Sequence, residues 1–379
     1  MDIRGRIITV LRWGKKQLCV VKKHFLRIAY FVLRPFQHKK LVMQIEQAER
    51  TLTDVRPNVR GTSMGKNQLC RPFQYDLQII IAAYNVEEYV EACMESVLNQ
   101  KTKYTYKVIV VEDGSTDGTA NILKKYEQDD RVCVIYQQNA GLSAARNTAL
   151  KKIEASYVMF VDSDDMVAEG AVETLMETAF RMQADIVEGG YYTLYENSLR
   201  KELGVGQMQK VCPLKALDGM PARKVFRSEL FEDIIFPRGY WFEDTVNMMR
   251  VFPKAKSVYK IPERVYIYRM RRDSITHMTK KNAKSLDTYW ISELLLQEYA
   301  KCGGKREKEY CEMFLRQILI NAHRLGDQAE SIQKSVFALS AALVDTYFAE
   351  DYQEIENSSL YIALKTKDYL AYRWYWRTH

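Results

Sequence analysis

Apolar and polar positions alternate in blocks through the middle of the chain. Leu77 to Ala82 reads as a strand, and Ala83-Tyr84-Asn85 turns out of it into a helix from Val86 to about Asn99. Lys107 to Val111 is a second strand, ending in Glu112-Asp113-Gly114-Ser115-Thr116-Asp117. A helix from Gly118 to about Gln128, a strand from Val132 to Tyr136 and a helix from Leu142 to Glu154 follow. Tyr157 to Val161 is apolar, β-branched and aromatic, the pattern of a strand buried on both faces. A helix from Glu169 to Gln183 and a strand from Asp185 to Tyr192 complete the series. Strands and helices alternating at this spacing predict βαβ units and a mainly parallel, Rossmann-like α/β sheet flanked by helices. Right-handed crossovers then gather the carboxyl ends of the strands, so Tyr84, Asp113, Gly141 and Asp162 are expected around one cleft.

The flanks differ. Residues 1–50 read as a basic amphipathic helical extension, and 51–76, rich in Pro, Gly, Ser, Asn and Arg, as a linker. The folded domain is placed at 77–281, in two halves, 77–195 and 196–281. From about Asn282 apolar residues recur at helical spacing (Leu286, Ile291, Leu294, Leu295, then Phe314, Leu315, Ile318, Leu319, then Val336, Leu339, Leu343, Tyr347). Residues 282–379 are therefore read as a helical region, with Gly303-Gly304 and Gly326 as breaks.

Charge sharpens this division. The 379 residues carry a net charge of +8. Up to Arg71 there are sixteen basic and four acidic residues, a surplus of twelve that leaves a deficit of four for the rest. The cationic partner surface is thus the N-terminus, where a basic helix suits an anionic membrane surface. Nucleic acid is not expected, because no zinc finger, helix-turn-helix or RNP motif is visible. No stretch reaches the roughly 20 apolar residues of a spanning helix, and no secretory signal is read at the start. Seven scattered cysteines without a Cys-x-x-Cys pair argue against a zinc site or disulfide framework. The expected location is cytoplasmic, peripheral at the inner face of the plasma membrane. The aromatic and basic stretch Tyr369 to Arg377 suits either a lipid headgroup layer or a homo-oligomer contact.

The chemistry starts at Asp162, Asp164 and Asp165, three carboxylates at the end of a buried strand. Carboxylates repel one another and resist desolvation. A hard divalent cation, Mn²⁺ or Mg²⁺, resolves the conflict and commonly shares its oxygen ligands with a substrate phosphate. The plainer alternative is a polar turn. Asp113 ends its strand where it can accept hydrogen bonds from a base and ribose, or else cap the next helix. Gly141 lets the backbone approach a ligand, Ser143 is a candidate N-cap, and Arg146 is in reach of a base or a phosphate. The P-loop signature is missing, and so is a Gly-x-Gly-x-x-Gly after the first strand.

Four ordered motifs carry a resemblance: Ile80-Ile81-Ala82-Ala83-Tyr84-Asn85, Val110 to Asp117, Asn139-Ala140-Gly141-Leu142-Ser143-Ala144-Ala145-Arg146-Asn147, and Phe160-Val161-Asp162-Ser163-Asp164-Asp165. Together they closely resemble the family-2 inverting glycosyltransferases of the GT-A fold, the bacterial polysaccharide group. The resemblance covers about Leu77 to Thr276. It implies a nucleotide-sugar donor, UDP-linked, with Asp113 on its uracil or ribose side and Ala83, Tyr84 and Glu87 lining the pocket. It also implies that Asp162 and Asp164, with Ser163 between them, form the Asp-x-Asp facing ribose and metal, with Asp165 a further ligand. Glu112 stands where the family usually has Asp. Phe236-Pro237-Arg238-Gly239-Tyr240-Trp241-Phe242-Glu243-Asp244 resembles the family's Glu-Asp motif at the head of a helix, which makes Asp244 the catalytic base and puts Glu243 and Trp241 on the acceptor side. Arg223 to Leu230 resembles the preceding segment, often Asn-Lys-Leu. Tyr268 to Thr276 resembles a stretch near the domain end, so Arg269, Arg271 and His277 are candidates to close over the diphosphate. The implied activity is metal-dependent transfer of a sugar to a hydroxyl of a lipid-linked or polysaccharide acceptor. The competing readings are a nucleotide-sugar-binding partner subunit without turnover, and a nucleotidyltransferase. The latter lacks its expected Gly-rich basic loop after the first strand.

Overall fold

A computed structural model describes residues 43–195, 198–202, 206–270, 282–348 and 355–378. Most of the basic N-terminal extension, together with Arg271 and His277, lies outside the described residues. The chain divides into a unit of residues 58–313 and a second unit of residues 1–57 and 314–379.

The larger unit contains strands β1 (Gln68–Leu69), β2 (Tyr75–Ala83), β3 (Tyr106–Glu112), β4 (Val132–Tyr136), β5 (Lys152–Ile153), β6 (Ala155–Asp162), β7 (Met166–Val167), β8 (Ile186–Tyr195), β9 (Ser198–Glu202), β10 (Gln209–Lys210), β11 (Lys224–Arg227) and β12 (Val258–Arg269). The main sheet runs β10-β12-β8-β11-β6-β2-β3-β4, with β7 on β12 and β9 on β8. Neighbours β6, β2, β3 and β4 are parallel, as are β8 and β12. Strand β11 is antiparallel to both β6 and β8, so these two still point the same way. The α/β sheet flanked by helices, expected from the alternating pattern, is therefore present: β2, β3, β4, β6, β8 and β12 run one way, β11 lies antiparallel between the halves, and β7, β9 and β10 are antiparallel on the β8 and β12 side.

Both faces of β2 and β6 are covered, which is why their sequences are almost continuously apolar. On one face Ile79, Ile81, Val110, Met159 and Val161 join a single buried cluster with residues of helices α1 (Val90–Leu98) and α3 (Ala171–Arg181). Helix α2 (Leu142–Leu150) lies along β2 and β3. Phe160 meets Phe226, Phe231 and Phe236 edge-on at 6.1, 5.5 and 5.4 Å between centroids, the geometry that aromatic quadrupoles prefer. The helix expected to reach Glu154 stops at Leu150, because Lys152–Ile153 pairs in parallel with Gln68–Leu69.

That pairing bears on the expected linker. The helix Ile45–Val55 extends past residue 50, and the chain beyond it is bonded to the larger unit. Met64 bridges to Ile234, and Asn67 Nδ2 donates to the carbonyls of Phe231 and Ile234 at 2.6 and 2.9 Å. A Cβ on Gly61 would lie 2.8 Å from the Tyr240 ring, and one on Gly65 2.4 Å from Ile235. Glycine here serves close approach rather than looseness, a difference that composition does not reveal.

Helix α4 (Asp287–Lys301) belongs with the larger unit, although the pattern placed it in the C-terminal helical region. In the second unit, Tyr369, Tyr372, Tyr375 and Trp376 are buried. Phe337 lies 5.4 Å from Tyr369 and 4.8 Å from Tyr372 between centroids. The rings read as a lipid or oligomer surface thus fill the unit's own core, since spacings of three and four place them on one helical face. Among the described residues no helix is long and apolar enough to cross a membrane, and the described cysteines form no disulfide with one another.

The aromatic cluster gives a direct check of the packing. Phe160→Ala is expected to lower the unfolding free energy by roughly 3–5 kcal/mol, measured by urea denaturation. A loss under about 1 kcal/mol would mean that Phe160 is not a central core residue.

Candidate functional site

Sheet register brings the strand ends together. Ala82 pairs with Asp162, Ala83 with Glu112, and Glu112 with Tyr136. The residues that follow each strand therefore share one edge, where open α/β sheets bind ligands. The first two loops lock to each other. Asn85 Oδ1 accepts from the Thr116 amide at 2.8 Å, and the Val86 amide donates to Thr119 Oγ1 at 2.8 Å. Glu87 Oε2 accepts from the Gly118 amide at 2.6 Å, while its own amide donates to Asp117. So Glu87, expected to line the nucleotide pocket, also ties the two loops together. Ala83 is buried, and Tyr84 keeps 47% of its surface exposed beside it. Glu112 accepts from the Ser115 amide at 2.6 Å and the Gly114 amide at 3.3 Å. Its longer side chain thereby organises the turn in which Asp is usual.

Asp113 is nearly enclosed, with 2% exposure. Its Oδ1 accepts from Gln137 Nε2 at 2.6 Å and the Ala140 amide at 2.9 Å, and its Oδ2 from the Gly141 amide at 2.8 Å. The carboxylate expected to meet a base or ribose here holds the loop that leads into α2. Gly141 sits at φ +86° with open space where a Cβ would go, so its backbone conformation, not crowding, favours glycine. Gly141 also occupies the N-cap position. Ser143, expected there, instead donates to the Pro237 carbonyl at 2.7 Å. Asn147 exchanges two hydrogen bonds with the Phe236 backbone, both at 2.8 Å. Helix α2 thereby fastens the segment that carries Glu243 and Asp244.

At the centre lies Arg146, with only 5% of its side chain exposed. One guanidinium nitrogen donates to Asp162 Oδ1 at 2.9 Å and the other to Glu243 Oε1 at 2.7 Å. Burial alone would lower the Arg146 pKa, but Glu243, Asp162 and Asp244 outweigh it and raise it. Asp162 is raised by burial and by Asp164 and Asp244, against the pull of Arg146. Glu243 is raised by burial and by Asp244 and Asp162, again opposed by Arg146. Arg146, expected on a base or phosphate, thus spends both arms on protein carboxylates. Asp244 belongs to the same electrostatic cluster, as its influence on all three groups shows.

The Asp164-Asp165 turn has its own clasp. The Arg269 amide donates to Asp165 Oδ1 at 2.7 Å, and Arg269 Nε donates to the Asp164 carbonyl at 3.0 Å. Burial, then Asp162 and Asp164, push the Asp165 pKa well up. Tyr266, buried on β12, accepts from the Asp162 amide at 3.1 Å. Ser163 is buried between the two aspartates. On the other side, Phe242 adopts φ +65°, a left-handed conformation uncommon for a bulky residue. The helix that follows Asp244 includes a π-helical turn, Asn247–Val251, a form frequent at functional sites. The Trp241 amide donates to Asp287 Oδ2 at 3.0 Å, and Lys284 lies over the Trp241 ring at 5.5 Å.

Among the described residues no three His, Cys, Asp or Glu side chains converge as a complete metal cage. The donor chemistry still fits a hard cation. Asp162, Asp164 and Asp165 supply carboxylates at one strand end, and mutual repulsion contributes to the raised pKa values of Asp162 and Asp165. Mg²⁺-like ions bind through one or two carboxylates completed by substrate phosphates, which this set suits better than a protein-only site.

Sequence reading missed Tyr266, Asp287 and the latch formed by Ser143 and Asn147. The last left a signal: Ser143, Arg146 and Asn147 fall on one face of a helix.

A family model described as Glycosyl transferase family 2 matches residues 78–235. Glycosyltransferase GlyA of Streptococcus pneumoniae serotype 4 is 34% identical over 224 residues, 53% of this chain and 32% of GlyA. Glycosyltransferase GlyG of the same organism is 32% identical over 218 residues, 52% of this chain and 72% of GlyG. The match thus spans about a third of the first relative and most of the second. Among solved structures, the crystal structure of S. aureus TarS 1-349 in complex with UDP-GlcNAc aligns over 79% of this chain and 89% of that one. Its TM-score is 0.51 at 20% sequence identity, a likeness of fold.

Asp162 and Glu243 have folded-state pKa values above their unfolded ones. Between those values the native state holds the extra proton, so these groups add stability at low pH and lose it as pH rises through the window. Arg146 limits that loss. Arg146→Met is therefore expected to cost about 3 kcal/mol near neutral pH, somewhat less because Asp162 is one-third exposed. The penalty should shrink towards pH ~5 as the carboxylates take up protons. Chemical denaturation of both proteins at each pH checks this; a penalty that grows on acidification contradicts the assignment.

Proposed function

The chain belongs to the family-2 glycosyltransferases, and from that premise we propose that it is a metal-dependent inverting enzyme of bacterial surface-polysaccharide synthesis. The donor is a UDP-sugar, and the acceptor is a hydroxyl of a lipid-linked or polysaccharide chain. The observation that supports this reading is the cluster around Arg146, in which Asp162 at a strand end and Glu243 beside Asp244 share one guanidinium. Donor-side and acceptor-side carboxylates thus lie within one connected group.

In the proposed reaction Asp244 removes the proton from the acceptor hydroxyl. The acceptor oxygen attacks the anomeric carbon from the face opposite the diphosphate. The bond from that carbon to the diphosphate oxygen breaks, and UDP leaves with the electron pair. Asp164 and Asp165 would hold Mn²⁺ or Mg²⁺ together with diphosphate oxygens, and the ion's contribution is charge neutralisation at the leaving group. Tyr84, exposed beside Ala83, offers a face to the base. Arg269 keeps the Asp164-Asp165 turn in place. The basic N-terminal stretch would bring the enzyme to an anionic membrane surface at the cytoplasmic side, where a lipid-linked acceptor is found.

The first donor to test is UDP-GlcNAc, which the TarS crystal contains, within a panel of UDP-sugars and with Mn²⁺. Asp244→Asn is expected to lower kcat by about 10²–10⁴-fold while Mn²⁺-dependent thermal stabilisation by the donor persists. Asp164→Ala is expected to reduce that stabilisation itself. Wild-type turnover in Asp244→Asn would show that another group is the base.

A further inference from the structure

A second charged cluster lies behind Asp244 and takes no part in the chemistry above. Glu188 on β8 is fully buried, and its sheet neighbours on either side are Lys224 on β11 and Lys260 on β12. Lys224 Nζ is 3.0 Å and Lys260 Nζ 2.9 Å from the Glu188 carboxylate, and Arg223 is 2.7 Å from it. Arg223 and Lys224 also both bind Asp218, Lys224 at 2.9 Å. Three cations therefore face two carboxylates. Lys224 donates further to the Met220 carbonyl at 2.6 Å, and Arg223 to the Gly189 carbonyl at 2.9 Å.

Arg223 has φ +61°. Left-handed backbone is uncommon for a long side chain and much easier for Asn. An Arg at this position has a strained backbone, and the feature that balances the strain is its set of ionic contacts.

Those contacts hold one end of the short segment 217–222, and its other face meets the proposed base. Asn247 Nδ2, in the turn after Asp244, donates to the Gly219 carbonyl at 2.7 Å. A Cβ on Gly219 would lie 3.0 Å from the Asp244 carbonyl oxygen and 3.2 Å from Met248 Cγ. The Asn247 amide in turn donates to that same Asp244 oxygen at 3.0 Å. The backbone of Asp244 is thus wedged between the strained Phe242 on its own chain and Gly219 across from it.

We propose that Arg223 is a positioning residue for the transfer reaction, acting from the Glu188 cluster through Asp218 and Gly219 to fix where Asp244 meets the acceptor hydroxyl. This rests on the reading of Asp244 as the base. Misplacement of a reacting group by about 1 Å can lower a rate by about 10²-fold, so the chemistry calls for a rigid support.

The test uses the full-length protein and begins with hydrogen exchange, which needs no substrate. In Arg223→Asn, whose side chain suits the left-handed backbone, exchange should quicken in residues 216–223 and also in 243–251. Peptides from β2 and β6 should stay unchanged. Faster exchange confined to 216–223 overturns the proposal. The second arm is kinetic. Arg223→Asn and Gly219→Ala should each lower kcat by roughly 10- to 100-fold, leave the donor KM within about twofold, and combine to less than the product of their separate effects. Arg223→Lys, which retains the charge, should recover part of the rate. Fully multiplicative effects, or wild-type kcat in Gly219→Ala, overturn the coupling. If Arg223→Asn fails to fold, Gly219→Ala carries both measurements. Failure of the donor assignment has a separate signature: wild-type protein that transfers nothing, with the exchange result still deciding whether the segment and the turn are coupled.

Discussion

A buried guanidinium cannot remain unpaired, because desolvating a cation without compensation is far more costly than any packing gain. Arg146 meets this requirement with two carboxylates from distant parts of the chain. Asp162 ends β6, where the parallel strands meet β11, and Glu243 belongs to a turn some eighty residues later. Both carboxylates are pushed up in pKa, first by burial and then by neighbouring acids, and Arg146 pulls against both. Burial would lower the Arg146 pKa, and the carboxylates in turn raise it. A pairing of this kind has a strict geometry, so it fixes the end of β6 relative to the Glu243 turn.

The acids near the sheet edge do different jobs even though they look alike in sequence. Glu112, Asp113 and Glu87 use their oxygens on backbone amides of the loops around them. They set loop shape, and the loops set where a ligand fits. Asp162, Asp164 and Asp165 repel one another at the end of β6, which is a poor way to build a turn and a good way to attract a cation. The same residue type thus serves architecture in one loop and candidate ligand chemistry in the next, according to how many amide donors are in reach.

Much of the parallel half was legible because its information is local. Continuous apolar runs such as Ile79 to Ala82 and Val158 to Val161 specify strands buried on both faces, and right-handed connections then leave little freedom in where their ends fall. Asp113, Gly141 and Asp162 lie at that edge as the pattern implies. Local information ends where partners are remote. Arg146 looks like a surface cation on its helix until β6 and the Glu243 turn close over it. Arg223 and Lys224 look like an exposed basic pair, yet both are buried on Glu188. The segment before β2 looks like a linker by composition, but its glycines mark close approaches to Tyr240 and Ile235. Aromatic spacing in Tyr369 to Trp376 was visible; whether that face met lipid or protein depended on Phe337, more than thirty residues upstream.

The turn bearing Glu243 and Asp244 has little regular structure of its own, and its position is a tertiary property. Helix α2 holds its start through Ser143 and Asn147. The segment before β1 holds Tyr240, whose hydroxyl donates to Asn58 Oδ1 at 2.6 Å and accepts from the Gly61 amide at 3.1 Å. Helix α4 accepts from the Trp241 amide through Asp287. Further along, Arg250 in the π-helical turn pairs with Glu298 of α4, which also binds Ser63 and Thr62. Each tether fixes a different point of the same short stretch, so displacement of any one must strain the others. Strain at Phe242 is stable under such a condition, because a backbone held from several sides cannot relax by moving away. A carboxylate proposed to take a proton at one defined point is better served by this arrangement than by a free-standing helix end.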